Sequence, residues 1–242
     1  YLEQYHRPAL DNIFNTEEGI RLARRISELD RQIIQATIRF IKQNPASVVA
    51  LDQAGYFLLG EIDLTSGQIE DLQNTLSRVW GNCPRMTEFK EKAEMAKKIA
   101  IGAPFQDIEL TDPEGKKVKL SECLPTGKYV MLEFWASWCG PCRGEMPDIQ
   151  ALYEEYGENQ GDLVVLGVAA PGLGQEGTQE EIASFLEENG YTFPIVMDTE
   201  YQLTYQYGIR AYPTTWMIDG EGNLYGYVES AMTGEIMRDI VE

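Results

Sequence analysis

The stretch Tyr129-Val-Met-Leu-Glu-Phe-Trp135-Ala-Ser-Trp-Cys139-Gly-Pro-Cys142 decides how the second half of this chain folds. Residues 129–136 are apolar except for Glu133, the pattern of a buried strand. After Cys139 the period changes. Met146, Ile149 and Leu152 recur at helical spacing, which predicts a helix over 141–156. Cys139 therefore falls at a strand-to-helix junction, on or next to the first turn of a helix. Unpaired backbone N–H groups and the positive end of the helix dipole favour a thiolate there. A lowered thiol pKa turns a cysteine from a small core residue into a nucleophile. Two cysteines separated by two residues can close a small disulfide or hold a dithiol.

Outward from this stretch, strands and helices alternate. Phe105–Leu110 and Lys117–Leu120 read as short strands around Asp112-Pro-Glu-Gly115, whose Pro and Gly positions suit a type I turn. A strand over 163–169 precedes a glycine-rich loop, 170–177, and a helix that opens on a capping box, Thr178-Gln-Glu-Glu181. A strand over 193–197, a helix around 199–207, a strand over 214–218 and a final hairpin through Gly220-Glu-Gly-Asn223 follow. This succession predicts an α/β layer fold with mixed strand directions.

The first hundred residues read as helices. Leu22, Ile26, Leu29, Ile33, Ala36 and Phe40 form an apolar stripe at alternating spacings of four and three. Asn44-Pro45 marks a break and a new start. A second helix runs through Val48, Leu51, Ala54 and Phe57. Thr65-Ser-Gly-Gln68 is a capping box for a third, with Ile69, Leu72, Leu76 and Val79 inward. Gly81-Asn-Cys-Pro84 ends it, and Phe89 to Ala100 forms a charged fourth. The charge balance changes at the same place. Residues 1–100 carry 13 Lys+Arg against 14 Asp+Glu, and residues 101–242 carry 7 against 25, which together make the net −19. We expect a helical region over 1–101 and an α/β domain over 102–242.

A domain with a net of −18 (7 minus 25) argues against nucleic acid or an anionic membrane surface as partner. It either serves solubility alone or makes a basic client easier to attract, within the screening length of about 8–10 Å. No apolar run approaches the roughly 20 residues that span a bilayer. The chain opens on Tyr1 without a signal peptide, which fits a mature or truncated product. Cys83 and Cys123 are isolated; they either pair in an oxidising compartment or stand as separate thiols. The single histidine, His6, is expected at the surface. Zinc usually takes four protein ligands, so neither a metal nor any other cofactor is expected.

Several motifs in order carry a family resemblance. Residues 102–242 resemble the thioredoxin-like thiol–disulfide oxidoreductases, and more narrowly their TlpA/ResA-like extracytoplasmic branch. The resemblance rests on Trp135-Ala-Ser-Trp-Cys-Gly-Pro-Cys142 and its continuation Arg143-Gly-Glu145-Met-Pro147. It extends to Gly208-Ile-Arg-Ala-Tyr-Pro213-Thr-Thr-Trp216 and Met217-Ile-Asp219-Gly-Glu-Gly222. An inserted strand–helix unit, here around 170–197, is also usual in that branch. The resemblance implies a central mixed sheet flanked by helices, with an extra N-terminal hairpin. The helical region 1–101 carries no resemblance.

The resemblance also implies roles. Cys139 is the attacking thiolate, at an exposed helix tip, and Cys142 resolves the mixed disulfide from the core side. Pro213 is expected in cis, presenting backbone beside the dithiol, with Tyr212 shaping substrate choice and Trp138 shielding Cys139. Trp135 reads as core. Gly140-Pro141 is the dipeptide of thioredoxins and points to the reducing end of a range of about −270 to −120 mV. Glu133 stands six residues before Cys139, where thioredoxins place a buried acid and many relatives in this branch a neutral residue. It either exchanges the resolving cysteine's proton or is a partly solvated structural acid. Glu145 either tunes the cysteines and contacts substrate or is a solvated helix-face charge. Arg143 is a solvated side chain or a weak thiolate stabiliser.

The expected activity is disulfide reduction or exchange on disulfide-containing client proteins, apocytochromes among the candidates, with electrons from a membrane-side thiol donor. The expected location is extracytoplasmic: periplasmic, or facing the periplasm from an anchor preceding Tyr1. Two alternatives compete. A peroxiredoxin-type peroxidase needs Pro-x-x-x-Thr/Ser-x-x-Cys, but Leu132 and Ala136 stand at those positions before Cys139. A helical binding or assembly module would use the 22–40 stripe as a dimer seam rather than as the core of a bundle.

Overall fold

Residues 17–57, 64–112, 115–124 and 127–241 are described by the computed structural model of the chain. Contacts divide the chain into two compact units, one ending at Ala96 and one beginning at Lys97. His6, and Pro113 and Glu114 of the expected turn, lie outside the described residues.

Among the described residues, four helices build the first unit: α1 (Glu17–Gln43), α2 (Val48–Phe57), α3 (Ser66–Trp80) and α4 (Pro84–Lys97). The capping box of α3 is formed. Gln68 N–H donates to Thr65 Oγ1 at 3.2 Å, and Thr65 N–H donates to Gln68 Oε1 at 2.9 Å. Ile69, Leu72 and Leu76 are buried as expected, whereas Val79 is exposed. The stripe on α1 is displaced from its expected line. Ile34, Ile38 and Ile41 are buried, while Ile33, Ala36 and Phe40 are exposed. Two apolar lines run side by side here, through Ile33 and Phe40 and through Ile34 and Ile41. Spacing alone does not choose between them; packing on α2 and α3 does. Helix α4 starts at Pro84, earlier than expected, because proline suits a first helical position.

The second unit is a seven-stranded sheet in the order β2-β1-β5-β4-β3-β6-β7. Its strands are β1 (Glu109–Thr111), β2 (Lys117–Lys119), β3 (Tyr129–Phe134), β4 (Leu163–Ala169), β5 (Ile195–Met197), β6 (Thr214–Ile218) and β7 (Leu224–Val228). Strand β3 runs parallel to β4 and antiparallel to β6. Helices α5 (Leu120–Cys123), α6 (Gly140–Glu155), α7 (Gln179–Asn189), α8 (Gln202–Gln206) and α9 (Gly234–Val241) complete it. Four expected strands, 105–110, 117–120, 129–136 and 193–197, are longer than the ladders that form. Phe105 N–H donates to Gly222 O and Gly102 N–H to Leu224 O, so this segment begins beside β7. Only from Glu109 does the chain pair as β1 at the other side of the sheet, next to β2 and β5. Leu120 leaves β2 to open α5, and α9 has no counterpart in the sequence reading.

Strand alternation gives the sheet two apolar faces. Met131 and Trp135 pack with Cys142, Met146 and Ile149 of α6. Val130, Leu132 and Phe134 face the opposite cluster with Trp216 and Leu203. Glu133 belongs to the α6 face, level with Gly167 on β4 and Thr215 on β6. Glycine at 167 leaves room for the neighbouring side chains. A Cβ would stand 2.3 Å from Ile195 Cδ1 and 3.2 Å from both Phe193 Cε2 and Trp135 Nε1. We therefore expect Gly167→Ala to destabilise the protein by about 1–3 kcal/mol through overpacking. Chemical denaturation checks this, and wild-type stability would contradict it.

Candidate active site

Strand β3 delivers the cysteines. Past Phe134 the chain keeps one more sheet bond, Trp135 N–H to Val168 O at 3.1 Å, and then turns. Cys139 N–H donates to Ala136 O at 3.0 Å, closing a turn over 136–139. Cys139 is the N-cap of α6, and Pro141 lies in the first turn, where its missing N–H costs nothing. Cys139 and Cys142 are joined in a disulfide with a Cα–Cα distance of 5.3 Å. Cys142 N–H donates to Cys139 Sγ at 3.2 Å. Cys139 is 3% exposed and Cys142 0%, so the expected exposed tip is largely covered. The cover is packing: Cys139 sits in the α6-face cluster with Trp135 and Ala136. Cys83 and Cys123 are free thiols.

Two aromatic side chains flank the disulfide. Trp138 is 46% exposed, and its ring meets that of Tyr212 edge-on at 6.2 Å. Burial, with the charges of Glu176 and Asp198, pushes the Tyr212 hydroxyl up to about 12, so it stays protonated at neutral pH. The Tyr212–Pro213 bond is cis. Trp135 is core. Arg143 lies over the Phe185 ring, 5.3 Å from its centroid.

Glu133 and Glu145 are both buried, at 1% and 3% exposure. Glu145 follows Cys142 by one helical turn on the face that also buries Met146, Ile149 and Leu152. Thr215 Oγ1–H donates to Glu133 Oε2 at 2.5 Å, and Met232 N–H donates to Glu145 Oε2 at 2.8 Å. Each carboxyl keeps one oxygen, Oε1, without a donor. The charge of Glu145 reaches Glu133, and two ionised carboxylates buried so near each other would repel, which favours a proton on one of them. Burial, reinforced by the charge of Glu145, holds Glu133 well above the usual carboxylate range, and the Thr215 bond opposes this in part. Burial lifts Glu145 to about 7, with Asp148 adding to it and the Met232 and Glu133 bonds pulling back. Burial thus favours the protonated form of both carboxyls.

Glu176 escaped the sequence reading. Its carboxylate is 7% exposed and accepts from Ser137 N–H and Ser137 Oγ–H, each at 2.6 Å, and from Gly177 N–H at 2.8 Å. An acid inside a glycine-rich loop carries no periodic signal; only the adjoining capping box at Thr178 marks the place. Among the described residues, no group of three or more His, Cys, Asp or Glu is arranged to hold a metal ion. No described helix is long and apolar enough to cross a membrane.

Residues 101–226 match the model of the AhpC/TSA family. The thiol–disulfide oxidoreductase ResA of Geobacillus thermodenitrificans is 35% identical over 144 residues, 60% of this chain and 78% of that protein. ResA of Bacillus subtilis is 30% identical over 141 residues, 58% of this chain and 74% of its own length. Among solved structures, the exposed lipoprotein thioredoxin Etrx1 of Streptococcus pneumoniae has a TM-score of 0.50 and 34% identity. It covers 56% of this chain and 98% of its own. A putative thiol:disulfide interchange protein DsbE from Chlorobium tepidum has a TM-score of 0.50 and 27% identity, covering 58% and 94%.

The buried acids make stability depend on pH in a definite direction. Both folded pKa values lie above the unfolded value, so the folded protein binds more protons than the unfolded chain. Their contribution is complete below about pH 4.5, is lost for Glu145 by about pH 7, and is lost for Glu133 as pH rises through its own raised pKa. We expect the denaturation free energy of the oxidised protein to fall over this range. The slope attributable to each proton reaches at most about 1.4 kcal/mol per pH unit. A Glu133→Gln/Glu145→Gln double variant loses that slope. Parallel profiles for the two proteins would contradict the assignment.

Proposed function

This chain belongs to the AhpC/TSA family, and on that premise we propose that Cys139 is the attacking sulfur of its disulfide exchange and Cys142 the resolving one. The protein is a thiol–disulfide oxidoreductase of thioredoxin-like fold. The observation that carries the assignment is the asymmetry of the two sulfurs. Cys139 Sγ is at the N-cap of α6 and receives the Cys142 N–H, a setting that stabilises a thiolate. Cys142 is fully buried, one turn from Glu145 on the same helical face.

In the reduced protein the Cys139 thiolate attacks one sulfur of a client disulfide. A Cys139–client sulfur bond forms, the client disulfide breaks, and the departing thiolate takes a proton from water. The Cys142 thiol then gives its proton to the Glu133–Glu145 pair and attacks Cys139 Sγ. This releases the second client thiolate and leaves the Cys139–Cys142 disulfide. The client has gained two electrons and the protein has lost them. A dithiol donor returns them by the same exchange in reverse. The pair suits its part because Glu145 is lifted to about 7, where a group both accepts and returns protons.

Trp138, Tyr212 and Pro213 form the surface on which an extended client segment lies beside the disulfide. The two rings meet edge-on and leave Trp138 accessible. The clients are extracytoplasmic disulfide-bearing proteins, with apocytochrome cysteine pairs one such class, and the donor is a membrane-side thiol protein. The protein works outside the cytoplasm, in the periplasm or facing it from a membrane anchor. Its acidic charge, −18 over residues 101–242 (7 Lys+Arg minus 25 Asp+Glu), favours basic client segments.

Cys139→Ser is expected to abolish insulin-disulfide reduction, while Cys142→Ser traps mixed disulfides that non-reducing electrophoresis resolves. Full reduction by the Cys139 variant would overturn the assignment.

A further inference from the structure

We propose that Glu176 is a positioning residue for the exchange reaction: its carboxylate clasps Ser137 and so fixes the turn that presents Trp138 and Cys139. The proposal rests on the reading of Cys139 as the attacking sulfur. Ser137 is the first inner residue of the 136–139 turn, whose own hydrogen bond joins Cys139 N–H to Ala136 O. That bond leaves Ser137 N–H unused, and the end of β3 offers it no strand partner. Glu176 Oε2 takes this N–H and Oε1 takes the Ser137 hydroxyl, both at 2.6 Å. Two donors of one residue thus meet the two oxygens of one carboxylate. Such charge-assisted pairs are short and directional. No bond within the turn could hold its backbone and side chain together in this way.

The other end of the clasp is itself fixed. Within the 170–178 loop, Leu173 N–H donates to Ala170 O, Glu176 N–H to Leu173 O and Gly172 N–H to Gly177 O. Tyr201 Oη–H donates to Pro171 O at 2.9 Å. Glu181 Oε2 accepts Thr178 N–H at 2.8 Å, anchoring the loop to the start of α7. Glycine at 177 leaves that bond undisturbed, since a Cβ there would lie 2.6 Å from the same Glu181 oxygen and push it aside. The carboxylate is therefore held before the turn needs it. It belongs to neither the acid pair nor the disulfide. All three of its donors are neutral, so it brings an uncompensated negative charge into the neighbourhood of a thiolate. Charge alone would be a poor reason to place it there; geometry is a good one. A reacting sulfur misplaced by about 1 Å can cost on the order of a hundredfold in rate.

The test uses the full chain, reduced with dithiothreitol, as wild type, Glu176→Ala, Glu176→Gln, Ser137→Ala and the Ser137→Ala/Glu176→Ala double variant. Insulin-disulfide reduction supplies kcat and KM, iodoacetamide alkylation mapped by mass spectrometry reports which sulfur reacts, and thermal melting reports folding. Glu176→Ala is expected to lower kcat by about tenfold or more, with KM changed by less than about twofold. Glu176→Gln restores turnover to within about threefold of wild type. Its oxygen still accepts Ser137 N–H and the Ser137 hydroxyl can turn to accept from the amide, so that only the Gly177 N–H bond is lost. Ser137→Ala is intermediate, and the double variant is no slower than Glu176→Ala because one contact is being removed twice. Three results each overturn the proposal: wild-type turnover in Glu176→Ala, Glu176→Gln as slow as Glu176→Ala, or additive losses in the double variant. If Glu176→Ala does not fold, wild-type turnover by Ser137→Ala overturns it. Alkylation of Cys142 in preference to Cys139 overturns instead the attacker assignment, whatever the rates of the Glu176 variants.

Discussion

Two carboxyl groups are buried together in the layer between β3 and α6, and a single proton has to stay with them. Among the described residues, neither Glu133 nor Glu145 has a cationic partner; their donors are the Thr215 hydroxyl and the Met232 N–H. Two ionised carboxylates so placed would repel each other in a medium that screens poorly, and burial penalises each charge separately. A proton kept on one of them removes the repulsion. The surrounding structure accommodates this arrangement. Gly167, level with Glu133, leaves room for the Trp135 indole and Ile195 where any side chain would collide. Thr215, level on the other side, supplies a hydroxyl where a valine would supply none.

Sheet topology explains why segments so distant in sequence meet at the disulfide. Strands β3 and β4 are parallel, so both end at the same edge of the sheet, and the 170–178 loop follows β4 there. Strand β6 is antiparallel to β3, so its beginning, preceded by Tyr212 and Pro213, lies at that edge too. The turn over 136–139 rises between them. Helix α9 is bound from α6: Glu145 accepts Met232 N–H, and three residues on, Asp148 accepts Gly234 N–H at 3.0 Å. One face of the helix that carries Cys142 thus also ties down the C-terminal segment.

Much of this was legible in the residues, for identifiable reasons. The apolar run 129–136 and the helical period after Cys139 are strong local signals, and both became the elements they predicted. The boxes at Thr65 and Thr178 formed because capping is decided within four residues. Strand alternation put Glu133 on the face of Met131 and Trp135, where it lies. What escaped depends on distant contacts. The choice between Ile33 and Ile34 on α1 is made by α2 and α3, and the late start of β1 by bonds from residues 102–105 to 222–224. The burial of Glu145 needs Met232, 87 residues away, to accommodate it. Glu176 is invisible without Ser137, 39 residues earlier in the chain.

The strongly acidic half of the chain sets the electrostatic problem that the active site has to solve. A field of that sign opposes any thiolate, and the Glu176 carboxylate adds to it locally. The remedy lies in fixed dipoles at one sulfur only. Cys139 Sγ has the Cys142 N–H at 3.2 Å and the N-terminus of a sixteen-residue helix behind it. Cys142 has instead a carboxyl pair on its own side of α6, which disfavours a second anion and can take up a proton. In the proposed sequence the two sulfurs therefore cannot exchange parts. Charge gathers where the N–H groups point, protons gather where the carboxyls lie, and the order of attack and resolution follows from that separation.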